Sequence, residues 1–126
     1  MRVLSTLLIV LALIIGLGTW NNQALRKSTD DVTGQIQQIM TSVDRQNWDQ
    51  ARQQTKALEK SWSKNAKWWP VFLDHQEIDN IEFSLAKTKE YVNIRNAPLA
   101  MGQLSELHLM MEHIPDKEAV TLENIL

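Results

Sequence analysis

Val3–Trp20 reads VLSTLLIVLALIIGLGTW, eighteen residues without a charged side chain, ending on a tryptophan. At a helical rise of 1.5 Å per residue the stretch covers roughly 27 Å, close to the ~30 Å hydrocarbon thickness of a bilayer. Trp20 supplies an amphipathic ring for the membrane interface, and Asn21, Asn22 and Gln23 follow it with amides suited to the headgroup layer. The expected organisation is a short N-terminal tail at 1–2, a single-pass transmembrane signal-anchor helix at 3–20, and a domain outside the bilayer at 21–126. A cleaved signal peptide competes with this reading, because Arg2, the apolar Leu7–Ile15 and the small residues of Gly16-Leu17-Gly18 match its three regions. A buried soluble helix is disfavoured, since no other stretch is apolar on all sides.

Orientation depends on a near balance of flanking charge. Arg2 and the terminal amine precede the stretch, and Arg26 and Lys27 follow it, with Asp30 and Asp31 offsetting them little. The very short tail favours insertion as a loop. The expectation is therefore a cell-membrane protein with its C-terminal domain extracytoplasmic.

The chain has 126 residues, which after the apolar stretch leaves room for one small domain. Without Arg2 the balance of 13 basic and 15 acidic residues falls to −3, which argues against a nucleic-acid partner or attraction to an anionic surface. The absence of cysteine excludes disulfides, thiolate metal sites, a cysteine nucleophile and an acylated lipoprotein cysteine.

Beyond the apolar stretch the periodicity is helical throughout. Leu25, Thr29, Val32, Ile36, Ile39 and Val43 recur at alternating steps of four and three, a near-heptad seam. No breaker separates this seam from Trp20, so one continuous rod to about Asp44 is expected. Asn47 with Gln50 has the form of an N-cap and its partner, starting a second helix whose stripe is Trp48, Ala51, Thr55, Leu58 and Trp62. A third helix carries Ile78, Ile81, Leu85, Thr88 and Val92, with Phe72, Phe83 and Ala86 on a second apolar face. A fourth presents Ala100, Leu104, Leu107, Met111 and Ile114, and Pro115 closes it. The expected bounds are about 24–44, 48–67, 71–94 and 98–114, with a short turn at 121–126 whose aliphatic residues dock on the bundle. The fold class is all-α: a transmembrane helix and a small antiparallel bundle of about four helices.

Candidate chemistry is sparse. Asp74, His75, Glu77, Asp79, Asn80 and Glu82 form the richest polar cluster, with His113 near the end of the fourth helix. His75, Asp79 and Glu82 share a helical face, and His108 and Glu112 repeat the +4 spacing, but neither a Glu-x-x-His pair of the di-iron type nor a His-Glu-x-x-His motif occurs. These groups are read as structural hydrogen-bonding and dipole partners, with no metal or cofactor assigned. No glycine-framed serine elbow or phosphate loop supports an enzyme. Trp68, Trp69 and Phe72 are not easily all buried in so small a core: they either plug the end of the bundle or make a candidate contact surface for a partner or the membrane.

The NWDxA start of the second helix, Phe72–Glu82 with Ser84-Leu85, and His113-Ile114-Pro115 followed by Leu122–Leu126 resemble the small Bacillota membrane proteins grouped as domain of unknown function 4363. The resemblance covers nearly the whole chain. It implies a single-pass, all-helical protein without an assigned activity. It also implies encoding beside a multi-span membrane protein, and hence an accessory or scaffold subunit with the lipid bilayer and a multi-span protein as partners. Homo-oligomers are left open. A ligand- or metal-sensing extracytoplasmic domain is the alternative. Protease added to intact cells is expected to digest the C-terminal domain, and protection of that domain would reverse the orientation.

Overall fold

The computed structural model describes residues 1–125, with the side chains of residues 21, 22, 71, 72 and 115–125 outside the description. Its helices are α1 (Arg2–Asp44), α2 (Trp48–Asn65), α3 (Trp69–Phe72), α4 (His75–Asn93) and α5 (Ala97–Ile125), and the described residues contain no strand. α1 packs on α2 and α5, and α4 packs on the same two. The long helices therefore form a four-cornered antiparallel bundle, with the one-turn α3 bridging one end.

The heptad-like seams supply the core. Leu25, Thr29, Val32, Ile36, Ile39 and Val43 are all buried, as are Ala51, Thr55, Leu58 and Trp62 on α2. α4 contributes Ile81, Ser84, Leu85, Thr88 and Val92, and α5 contributes Ala100, Leu104, Leu107, Met111 and Ile114. The buried apolar residues make one continuous cluster, so non-directional burial of these stripes holds the helices together. Buried Thr29, Thr55 and Thr88 each return their hydroxyl to the carbonyl four residues back, which satisfies the only polar group they bring inside. α1 crosses from the apolar stretch into this core without interruption. Its N-terminal part is long and apolar enough to cross a membrane, and none of that window is buried in the bundle.

The two turns at the end of the bundle remote from the apolar stretch use the same device. Gln46 (φ 58°) and Arg95 (φ 57°) take the left-handed conformation just after α1 and α4. At each, two backbone bonds close the helix: Asn47 N to Ser42 O and Gln46 N to Val43 O at the first, Asn96 N to Tyr91 O and Arg95 N to Val92 O at the second. This is the Schellman pattern, which satisfies carbonyls left over at a helix end. Asn47 and Asn96 follow immediately and accept from Gln50 N and Leu99 N, so each turn ends one helix and caps the next within three residues.

The fold differs from the sequence expectation at three places. The third helix begins at His75, not 71: Pro70 opens only the single turn of α3, and the chain then extends at Leu73 before Asp74 starts α4. The decisive local signal is the capping box, in which the Asp74 carboxylate accepts from Glu77 N at 2.8 Å and the Glu77 carboxylate accepts from Asp74 N at 3.4 Å. Pro115 does not end α5, so the separate 98–114 helix and 121–126 turn are one helix to Ile125. A proline removes one backbone bond and disfavours helix before it, yet the backbone can continue past it. Docking of the C-terminal aliphatic side chains lies outside the described residues. Finally, α4 has no second buried face, because Phe83 is 62% exposed and Ala86 is exposed. It reaches both neighbours through its one stripe.

A non-glycine residue in the left-handed region carries a steric cost of about 1–2 kcal/mol, part of which glycine avoids. Gln46→Gly is expected to leave the unfolding free energy unchanged or raise it by up to about 1 kcal/mol, and the β-branched Gln46→Val to lower it by about 1–2 kcal/mol. Denaturant titration of the detergent-solubilised chain measures both.

Candidate functional site

The register of α1 against α2 is fixed by two side-chain bonds, Gln35 Nε2 to Ser61 Oγ at 3.0 Å and Ser42 Oγ to Gln54 Oε1 at 2.6 Å. Antiparallel pairing in this register brings the C-terminal end of α2 opposite the turn of α1 around Ser28. α2 stops there, at Asn65, and the chain turns aside through Trp68 and Trp69. α1 does not stop. Leu17, Trp20, Ala24 and Ser28 lie at steps of three, four and four, on the stripe that higher up carries Gln35 toward α2. Below Ser28 that stripe has lost its covering helix.

The result is a groove of about 620 Å³ with this α1 stripe as one wall and Asn65, Trp68 and Trp69 as the other. Trp20 and Trp68 are 71% and 70% exposed at its edges. Trp69 is only 2% exposed and stacks on Trp62, ring centroids 5.3 Å apart and planes 18° from parallel. Such a stack contributes about 0.5–1.5 kcal/mol beyond the area it buries. Trp62 Nε1 donates to Glu82 at 3.4 Å, while the buried Nε1 of Trp69 has no acceptor. A buried donor without a partner costs about 1–3 kcal/mol.

The three aromatic residues singled out by sequence thus separate. Trp68 is at the surface, Trp69 is withdrawn from it into the core, and the side chain of Phe72 lies outside the described residues. Trp69 is buried because the sharp exit from α2 turns its ring back over Trp62, closing the apolar end of the bundle.

The polar cluster separates too. Asp74 and Glu77 cap α4, and Glu82 receives the Trp62 indole. Glu77, Asn80 and His113 border a second, smaller cavity of about 190 Å³ with Leu73, Ile81 and Met110. His75 and Asp79 are exposed on the first turns of α4 and do not border it. His108 sits apart, its Nδ1 3.5 Å from Glu112 Oε1 and its Nε2 3.3 Å from Gln37 Nε2 on α1. Among the described residues no group of three or more His, Asp or Glu side chains converges in a ligand arrangement.

Sequence reasoning missed Leu17, Ala24, Ser28 and Asn65 as groove residues. The +3, +4, +4 spacing on α1 was available as a signal, but only the end of α2 shows that the stripe is uncovered. It also missed local charge: Arg26, Lys27, Lys60, Lys64 and Lys67 are exposed around this end of the bundle, and none of them forms an ion pair among the described residues. The net charge of −2 conceals this basic edge.

The family model described as Domain of unknown function (DUF4363) matches residues 19–125. No curated protein and no solved structure matches the chain.

The geometry separates the roles of neighbouring tryptophans. Trp69→Ala is expected to lower stability by about 3–5 kcal/mol through the cavity it leaves, Trp69→Phe far less because it keeps an aromatic ring and removes the orphan donor. Trp68→Ala is expected to stay within about 0.5 kcal/mol of the parent. Thermal or denaturant unfolding of the three variants, followed by circular dichroism, checks the ordering.

Proposed function

The chain belongs to the family of domain of unknown function 4363, and on that premise we propose that it is a noncatalytic, membrane-anchored accessory or scaffold protein that binds a larger membrane protein. The observation carrying this reading is the unbroken α1, in which an apolar, uncovered half and a core-forming half share one 43-residue helix. A flexible joint would let an anchor merely concentrate a domain at the membrane. A continuous helix has a further effect, because it fixes both the height of the bundle and its rotation about the helix axis relative to anything packed on the span. That is the geometry of a subunit that presents a surface to a neighbour in one orientation.

The surface offered to the partner is the exposed, acidic start of α4, with His75 and Asp79 beside the Asp74 cap, together with the lipid-level face of α1. In this arrangement the bundle lies on the extracytoplasmic side of the membrane. A sensing role has weaker support, since His75 and Asp79 border neither cavity and His108 faces α1.

Crosslinking in intact membranes is expected to join the tagged chain to a discrete multi-span protein. Four Gly/Ser residues inserted after Trp20 are expected to lower its recovery while leaving the bundle folded. Wild-type recovery by the insertion variant refutes the proposed coupling, and extraction of the parent chain by alkaline carbonate refutes the anchor.

A further inference from the structure

We propose that the groove between Leu17–Ser28 of α1 and the Asn65–Trp69 turn binds one anionic phospholipid of the surrounding membrane. This rests on the anchored reading of α1 and extends it to a specific ligand.

Position comes first. With Val3–Trp20 in the hydrocarbon, Leu25, the first buried core residue, is only about 7–8 Å beyond Trp20 along the helix axis. The headgroup layer occupies about 5–8 Å on each side of the hydrocarbon. The base of the bundle therefore sits in that layer, not above it. Leu17 to Ser28 spans about 16 Å of α1, so the groove runs from the hydrocarbon edge through the headgroups.

Chemistry follows the same axis. The α1 wall runs from Leu17 and Trp20 at its hydrocarbon end to Ser28 at its upper end, with Asn65 and Trp68 on the other wall. An acyl chain matches the hydrocarbon end and a glycerol-ester and phosphate region the upper end. Trp20 and Trp68 are exposed indoles on its two walls, and tryptophan is favoured at a membrane interface. Lys27, Lys64 and Lys67 adjoin the wall residues in sequence and have no ion-pair partner among the described residues, whereas Arg26 is on the opposite face of α1. Asp31 continues the α1 stripe one turn beyond Ser28 and tempers, without neutralising, these three cations. Trp69 is a buried wall residue of the groove. The site is the part of the α2-facing stripe that α2 leaves bare, and a lipid chain lying along it continues the packing that the helix ends.

The full chain in membranes is first washed with alkaline carbonate, then solubilised in maltoside and titrated with phosphatidylglycerol or phosphatidylcholine under native mass spectrometry. The expected result is one phosphatidylglycerol retained per chain in preference to phosphatidylcholine. Lys64→Gln and Lys67→Gln should each weaken retention about five-fold. Ala24→Phe, which fills the groove without touching charge, should reduce retention of both lipids. All three positions are exposed, and an unchanged thermal transition verifies folding. Equal retention of the two lipids by the parent chain, or retention unaffected by Ala24→Phe, overturns the site while leaving the anchor intact. Release of the parent chain by carbonate overturns the anchor and the site together.

Discussion

Helical continuity through residues 18–29 is the constraint on which the rest of the molecule depends. Each residue of an α-helix advances the side-chain direction by a fixed angle, so an unbroken backbone transmits rotational phase as well as length. Once Leu25, Val32 and Ile36 face the core, the directions of Leu17 and Trp20 are no longer free. The bundle and the apolar half of α1 thereby share one continuous helix. Gly34 lies within this helix and Gly16 and Gly18 precede its core-forming half, but all three retain helical backbone with negative φ. Cooperative packing of the seam beyond Leu25 supplies stability that the local propensity of glycine lacks.

The unequal lengths of the helices explain why the unusual features gather at one end. At the remote end, α1, α2, α4 and α5 are joined by tight turns in which every cap is satisfied by a neighbouring backbone or asparagine group. At the other end α1 and α5 continue along their lines while α2 stops and α4 starts from an extended residue. The core there is closed by the Trp62–Trp69 stack instead of by a helix. That closure uses a large ring with a polar edge, and leaves one edge without a partner. An apolar isostere would close the core without that defect.

Much of this was legible in the sequence because the relevant signals are local. The stripes from Leu25 to Val43 and from Ala100 to Ile114 repeat at helical steps and require only burial to be correct. Asn47 with Gln50 is a cap readable within four residues. At Pro70 and Asp74 two local signals compete, and the proline starts only a single turn while the aspartate starts the helix. The Asp-x-x-Glu spacing identifies the stronger one, because it satisfies two backbone donors where proline satisfies none. Pro115 shows the converse weakness: loss of one backbone bond is a statistical stop signal, and neighbouring turns can outweigh it. The groove was not legible, since it arises from where α2 ends relative to α1. Adjacent Trp68 and Trp69 differ in the same way. Their identical chemistry is resolved only by the direction of the turn that carries them.

The charge pattern at this end has an origin in helix direction. α2 arrives there with its C-terminus, where unsatisfied carbonyls favour Lys64 and Lys67, and α4 departs with its N-terminus, where free N–H groups favour Asp74 and Glu77. Dipole complementarity alone therefore divides the end of the bundle into a basic side on α2 and an acidic side on α4. An overall charge near zero averages the two and hides the division. A surface with its own negative potential does not average them: it attracts the α2 side and repels the α4 side.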